Sequence, residues 1–140
     1  MKSDVRFENV AEGQEIPSLV RRMTNVTNYL YGVALWAPHR IHYDREWARS
    51  EGYDDVVIIA GLMSSYLSQM LVRWAGDPGS LRKLELTNRA PAYAGDTVTS
   101  RGVVRRKYRD GEETFVECDV EVENQDGTKV VTGTAVVRLP

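Results

Sequence analysis

The spacing of apolar residues predicts one strand and one short helix at the start of the chain. Residues 18–24 are typical of an extended edge or capping strand. Apolar side chains then recur at helical intervals, which predicts a short helix over residues 27–35. Pro38 ends this helix, because the residue before a proline is driven out of the helical region.

Two further helices are predicted before residue 80. Residues 44–50 are expected to form a helical turn, with Asp44 as its N-cap and with Trp47 and Ala48 facing inward. Residues 57–75 give the strongest helix prediction, because apolar side chains recur every four residues in two adjacent rows. The rows are Leu62, Tyr66, Met70 and Trp74, and Met63, Leu67 and Leu71. So wide an apolar arc indicates a helix that other parts of the chain wrap.

From residue 80 onward the apolar period changes to two, which is the period of β-strands. The alternation is cleanest over residues 114–123. Asp110-Gly111 and Asp126-Gly127 are dipeptides typical of hairpin turns on either side of that strand. The other predicted strands cover residues 81–86, 97–107 and 130–139. We therefore expect four strands in hairpin succession after the long helix.

This order of elements indicates an α+β fold, with one domain over residues 1–140. A helix that is apolar over most of its girth is satisfied by a curved antiparallel sheet wrapped around it. That arrangement, a long apolar central helix in a curved sheet, is the hot-dog fold. Because such a sheet leaves an edge open to pairing, we expect at least a dimer.

Composition and charge remove several classes of function. A net charge of −2 and a pI of about 5.7 lack the basic surplus of a nucleic-acid-binding protein. Residues 56–63, the longest mostly apolar stretch, are too few to span a membrane, and residues 1–6 lack the apolar run of a secretory signal. The single cysteine, Cys118, excludes an intramolecular disulfide, is expected to fill the core and fits a cytoplasmic protein.

Both histidines of the chain stand in one short loop before the long helix. His39 and His42 lie close to Asp44, and imidazole is the side chain best suited to exchange protons near neutral pH. This spacing fits an acid–base site. It equally fits a structural loop in which His42 bonds the backbone and Asp44 caps a turn. A metal site would need further ligands that the sequence does not offer, so no cofactor is expected.

Residues 39–44, with Ala48, residues 51–53 and Gly61-Leu62, resemble the MaoC-like dehydratases. This family includes the (R)-specific enoyl-CoA hydratases, called hydratase 2, and the type 2 3-hydroxyacyl-thioester dehydratases and mesaconyl-type hydratases. The histidine loop is most similar to the latter two. Residues 88–97 resemble the family's proline and Gly-Asp-Thr stretch. The resemblance implies a hot-dog fold and the reversible addition of water to a 2-enoyl-CoA in lipid metabolism.

The resemblance also implies roles for individual residues. In the family, a glycine amide at the start of the long helix donates to the thioester carbonyl. The histidine moves the proton between water and the α-carbon, and here His39 or Tyr43 would position that water. The implied catalytic residues are His42, His39 and Gly61. The implied substrate-binding residues are Tyr43, Asp44, Ala60, Leu62 and Tyr93.

Two positions depart from the family pattern. The aspartate that partners the histidine in hydratase 2 falls on Ala37, and the histidine of the usual His-Gly-x-Leu string falls on Ala60. Removing one member of a catalytic group often lowers rates by several orders of magnitude. The chain is therefore expected to be either a hydratase acting through His42 or a non-catalytic or half-catalytic partner subunit of a heteromeric enoyl-CoA hydratase.

The partner-subunit alternative has further support in the second half of the chain. Residues 71–76 and 90–97 are similar to the hot-dog chain that lacks the catalytic set in two-chain enzymes. A homodimer and a heteromer with a second hot-dog chain both remain open, with an acyl-CoA thioester as substrate. A hot-dog thioesterase ranks third, because it needs a carboxylate at or facing the long helix and residues 57–70 contain none.

Overall fold

The computed structural model describes residues 5–140, so residues 1–4, part of the stretch where no secretory signal was expected, lie outside it. The helices are α1 (Asn25–Ala34), α2 (Arg45–Ser50) and α3 (Ala60–Ala75). The strands are β1 (Glu15–Arg22), β2 (Leu81–Asn88), β3 (Thr97–Asp110), β4 (Glu113–Glu123) and β5 (Lys129–Arg138). Short 3₁₀ turns are Phe7–Asn9, Arg40–His42 and Pro78–Ser80. This is the predicted α+β order of elements.

Within the described residues the strands form one antiparallel sheet in the order β1-β3-β4-β5-β2. Strands β3, β4 and β5 are hairpin neighbours. The expected hairpin succession of four strands is wrong for β2, which pairs with β5 rather than with β3. The turns between them contain Gly111 and Gly127 at positive φ, 60° and 77°, as the two Asp-Gly dipeptides predict. The sheet leaves β1 and β2 as its edges.

Helix α3 packs against the inner face of the sheet and forms the centre of the core. Leu67 and Leu71 are fully buried there, together with Val116 and Val122 of β4. Burying each such side chain contributes about 2 kcal/mol. The expected hot-dog architecture is therefore confirmed. No helix in residues 5–140 is long and apolar enough to cross a membrane.

The long helix begins later than the sequence predicts. Residues 56–58 continue the apolar pattern but are extended, because they pair with residues 92–94. The Ile58 amide donates to the Ala92 carbonyl (2.8 Å), and the Ala94 amide donates to the Val56 carbonyl (3.2 Å). The start of the helix therefore falls at Ala60, which puts Gly61 in its first turn.

The short helix α2 follows the prediction except at Trp47. The Asp44 side chain accepts from the Trp47 amide (3.0 Å), as an N-cap should, and Ala48 is fully buried. Trp47 does not face inward: it is 38% exposed, with the Arg40 guanidinium 4.1 Å above its ring. A single turn and a half of helix buries one narrow stripe, and Ala48 occupies it.

The outer face of the sheet is covered by cross-strand ion pairs. Arg106 binds Glu117 (2.6 Å), and Arg101 binds Glu123 (2.8 Å). The guanidinium of Arg106 lowers the pKa of Glu117. The inner face is apolar and includes Cys118, whose burial raises the pKa of its thiol to about 12. Cys118 is therefore a core residue, as expected, and stays a neutral thiol.

Gly133 lies where β5 and β2 approach each other closely. A Cβ at Gly133 would lie 2.0 Å from the Glu85 carbonyl oxygen, a backbone atom held by the strand pairing. The closest atoms to a Cβ at Gly102 would be the ends of the Ile16 and Met70 side chains, at 3.0 and 3.1 Å. We expect Gly133→Ala to lower the free energy of unfolding in urea by about 3 kcal/mol and Gly102→Ala by about 1 kcal/mol. Equal losses for the two variants would contradict this close approach.

Candidate active site

His42 ends the 3₁₀ turn Arg40–His42, and its half-buried ring is held by one backbone group. Its Nδ1 lies 2.8 Å from the Val57 carbonyl oxygen. Because a carbonyl only accepts, Nδ1 carries the proton of this bond, and the neutral ring has its lone pair on Nε2. The loop therefore fixes the tautomer in which Nε2 can accept a proton.

Asn28 ties this loop to the start of α3. Its Nδ2 donates to the carbonyls of His42 (2.9 Å) and Val57 (3.1 Å), and its Oδ1 accepts from the Ile59 amide (2.9 Å). Of the α1 residues, all of them described, only Asn28 is buried. Asn28 was not predicted as a site residue because it stands among polar residues typical of N-caps. An asparagine inside a helix, where its propensity is poor, was the available signal.

The first turn of α3 offers backbone donors. Ile59 is its N-cap, and among the described residues no side chain caps it. The Ala60 and Gly61 amides have no intrahelical carbonyl partner, as is usual in a first turn, and the helix dipole adds positive charge there. Such amides can stabilise an oxygen on which negative charge develops.

Tyr31 of α1 lies directly over Gly61, and it was not predicted as a site residue either. A Cβ at Gly61 would be 2.7 Å from the Tyr31 hydroxyl oxygen. That hydroxyl lies 3.2 Å from Ser65 Oγ, which donates to the Gly61 carbonyl (2.9 Å). Glycine at position 61 is therefore required for Tyr31 to pack where it does.

An apolar cleft of about 330 Å³ opens beside His42. Its walls come from α1 and from the loop that follows, and they include Ala37, the position of the aspartate in hydratase 2. None of the described residues that line the cleft carries a carboxylate. The complete lining is Asn28, Tyr29, Gly32, Val33, Trp36, Ala37, Pro38, His42 and Tyr43.

His39 and Asp44 are engaged within the loop itself. His39 is exposed; its Nδ1 accepts from the Ile41 amide (3.3 Å), and its ring centroid lies 6.2 Å from that of His42. Asp44 binds the Trp47 amide with one oxygen and Arg40 (2.6 Å) with the other. The Trp47 amide and then Arg40 lower the pKa of Asp44. A catalytic role for His39 and a substrate-binding role for Asp44 remain predictions.

The other predicted substrate-binding residues lie at different depths. Tyr43 is 51% exposed and lines the cleft. Ala60 is half-buried in the first turn of α3, whereas Leu62 is 5% exposed and packs in the core. Tyr93 is half-buried and pairs with Val57, the residue whose carbonyl holds His42. Their contacts with substrate remain predictions.

The helix wrapped by a curved antiparallel sheet defines a protein of the hot-dog class. The fold is that of the (R)-hydratase from A. caviae involved in PHA biosynthesis, with a TM-score of 0.84 and 22% identity over 95% of this chain and 99% of that one. The R-hydratase PhaJ1 from Pseudomonas aeruginosa gives a TM-score of 0.86 at 19% identity, covering 96% of this chain and 85% of that one.

A third similar structure is the ChsH1–ChsH2 complex from Mycobacterium tuberculosis, with a TM-score of 0.81 and 24% identity over 93% of this chain and 98% of the matched chain. No curated protein matches the sequence. The model of the hydroxyacyl-thioester dehydratase type 2 family matches residues 5–94, which include both His42 and Gly61. The chain belongs to this family of dehydratases, as the resemblance in the histidine loop indicated.

The role of Asn28 in holding the loop is testable by its removal. Asn28→Ala would leave two carbonyls and one amide without their buried partner, so we expect it to lower the free energy of unfolding by about 3 kcal/mol or more. Asn25→Ala, an exposed change on the same helix, is the matched control and should cost about 0.5 kcal/mol or less. Chemical denaturation measures both. Similar losses for the two variants would argue against this role.

Proposed function

We propose that this chain takes part in the reversible hydration of a 2-enoyl thioester of the acyl-CoA class, with His42 as the acid–base residue. The observation that carries the proposal is the hydrogen bond from His42 Nδ1 to the Val57 carbonyl, 2.8 Å long, because it leaves Nε2 as the proton acceptor. Asn28 and Val57 connect this ring to the first turn of α3. A proton-transfer group and an anion-stabilising helix terminus are thus parts of one hydrogen-bonded unit.

The proposed reaction needs both parts. Nε2 of His42 takes a proton from water as the water oxygen bonds the β-carbon of the enoyl group. The electrons of the carbon–carbon double bond move toward the thioester oxygen, where the Gly61 amide stabilises the negative charge. The α-carbon then receives a proton from the histidine, and dehydration follows the same path in reverse.

A specific observation favours a second hot-dog subunit in this reaction. The cleft beside His42 has a methyl group at Ala37 and no carboxylate among its described lining residues. Two copies of this chain alone would duplicate that deficit, whereas a different hot-dog chain could bring the carboxylate. One of the similar structures is a complex of two named chains, ChsH1 and ChsH2. We therefore favour a heteromer over a homodimer.

The surface that such a subunit would cover is apolar and borders the cleft. Six large apolar residues on α1 and the turn after it are more than half exposed. These residues are Val26 (68%), Tyr29 (57%), Leu30 (62%), Val33 (55%), Leu35 (57%) and Trp36 (84%). Three of them, Tyr29, Val33 and Trp36, also line the cleft, so a subunit packed there would close the space beside His42. The charged outer face of the sheet offers no comparable surface.

The backbone conformation and the exposure of Trp36 both cost free energy, which supports a subunit covering the same surface. It has φ of 52° in the turn that ends α1, a position that usually takes glycine. The left-handed conformation costs a residue with a side chain about 1 kcal/mol, and the exposed indole adds an apolar area facing water. A covering subunit would offset the second cost.

The single reduced Cys118 fits a reducing compartment such as the cytoplasm.

Replacing His42 tests the proposed acid–base role. We expect His42→Ala to lower the rate of enoyl-CoA hydration by about 100-fold or more, because a positioned general base contributes that much. His39→Ala should lower it by less than about tenfold, because the exposed His39 ring has no hydrogen bond to His42. The assay follows loss of crotonyl-CoA absorbance. A His42→Ala variant as active as the unchanged chain would exclude the role.

Position 37 distinguishes a self-sufficient chain from a partner subunit. Ala37→Asp would return a carboxylate to the cleft, so we expect it to raise the hydration rate of the isolated chain by about 100-fold. Ala37→Asn introduces a side chain as large as aspartate but without its charge, and it should give no gain in rate. Addition of a co-purifying hot-dog chain should remove the advantage of Ala37→Asp. No gain from Ala37→Asp, with a fully active chain alone, would contradict the missing-carboxylate account.

A further inference from the structure

The oxygen of the Tyr31 hydroxyl occupies an unusual place at the start of α3. The three heavy atoms nearest to a Cβ at Gly61, within the described part of the chain, all belong to Tyr31: Oη at 2.7 Å, Cε1 at 3.3 Å and Cζ at 3.4 Å. The edge of the phenol therefore covers the Cα of the residue whose amide is proposed to bind the thioester oxygen.

The hydrogen bonds around Tyr31 give the direction of its proton. Ser65 Oγ donates to the Gly61 carbonyl (2.9 Å), so its own proton is used. Tyr31 then donates to Ser65 Oγ across 3.2 Å. That distance is long for a bond between two hydroxyl groups, whose usual separation is about 2.7–2.8 Å. The Tyr31 proton is thus held weakly and is available to a better acceptor.

The geometry allows Tyr31 and the Gly61 amide to share one acceptor. Adding two backbone bond lengths of about 1.5 Å to the 2.7 Å contact puts the Tyr31 hydroxyl within about 6 Å of the Gly61 nitrogen. Two donors that each lie about 3 Å from one oxygen are themselves no more than about 6 Å apart. An oxygen placed between them can accept from both.

The residue next to Gly61 offers no side-chain donor that could act in place of the Tyr31 hydroxyl. Position 60 holds an alanine, which has no side-chain donor to add to the Gly61 amide. Ser65 is exposed and Gly61 is half-buried, so a ligand can reach this end of α3 from solvent. Backbone amides alone would otherwise stabilise the charge that develops on the thioester oxygen.

We propose that Tyr31 is a catalytic residue that donates a hydrogen bond to the thioester oxygen beside the Gly61 amide. The inference rests on the proposed function and extends it. In the resting protein the hydroxyl donates to Ser65. When the thioester binds, the same proton turns to the carbonyl oxygen, and two donors stabilise the enolate charge. No bond other than these hydrogen bonds changes at Tyr31.

Kinetics of the full chain give the first test. Tyr31→Phe keeps the ring over Gly61 and removes the hydroxyl, so kcat for crotonyl-CoA hydration should fall by about 100-fold with little change in KM. Ser65→Ala removes the resting partner of Tyr31 but leaves its proton free, so its kcat should fall at least about tenfold less. If Tyr31 only braces α1 against α3, the two variants should be equally impaired. Tyr108→Phe, on the outer face of the sheet, is the matched control.

A binding measurement gives a test that does not depend on turnover. Butyryl-CoA labelled with ¹³C at its carbonyl cannot be hydrated, and hydrogen bonds to that carbonyl lower its infrared stretching frequency. We expect a lowered frequency on the unchanged chain and a smaller lowering on Tyr31→Phe. Equal frequencies on the two proteins would overturn the role of Tyr31 and leave the proposed function intact. An unshifted carbonyl frequency on the unchanged chain would overturn the hydrogen bonds from both Tyr31 and the Gly61 amide. The proposed function is decided separately, by whether hydration is lost in His42→Ala.

Discussion

The buried amide of Asn28 is the interaction on which the arrangement of this site depends. A side-chain amide in an apolar interior costs free energy unless all of its groups are bonded. Asn28 meets that condition through three backbone groups, which belong to His42, Val57 and Ile59. Three segments of the chain thereby have their relative positions fixed by one side chain. The histidine loop follows α1, and Ile59 at the start of α3 lies 31 residues from Asn28, yet none of the three segments can shift without breaking one of these bonds.

The distribution of polarity over the surface agrees with the proposed second subunit. The sheet turns its ion pairs to water, and its inner face is filled by α3. Helix α1 reverses the usual order, because its buried residue is the polar Asn28 and its large exposed residues are apolar. The buried side of such a helix is held by hydrogen bonds, and its exposed side presents apolar area that another molecule could cover.

The sequence predicted the fold where local pattern decides it. Residues 116, 118, 120 and 122 alternate with polar neighbours, and all four face the core. The pattern was wrong at residues 57–59, because an apolar run fits a helix as well as a buried extended segment. Pairing with residues 92–94 decides between them, and no local signal records a partner so distant in the chain. Trp47 was misplaced for a similar reason, since Arg40 rather than the core covers its ring.

The site was predictable only in part. His42 was predicted because histidines are rare in this chain, and Gly61 because the loop and the helix start resemble a family; both roles stay predictions. Which nitrogen of His42 is free depends on the Val57 carbonyl, and Tyr31 acquires its place from the packing of α1 on α3. These are tertiary facts. The sequence alone shows that position 37 is not acidic, and the structure shows that this position lines the cleft beside His42.

The bond between His42 and Val57 has one more consequence, which concerns stereochemistry. Nδ1 donates to the carbonyl whether the ring is neutral or doubly protonated, so the imidazole keeps its orientation through the reaction. In the proposed hydration, the nitrogen that takes the proton from water is therefore the one that gives it to the α-carbon. Both new bonds would then form on the face of the alkene turned toward Nε2, and the hydroxyl and hydrogen would be added syn.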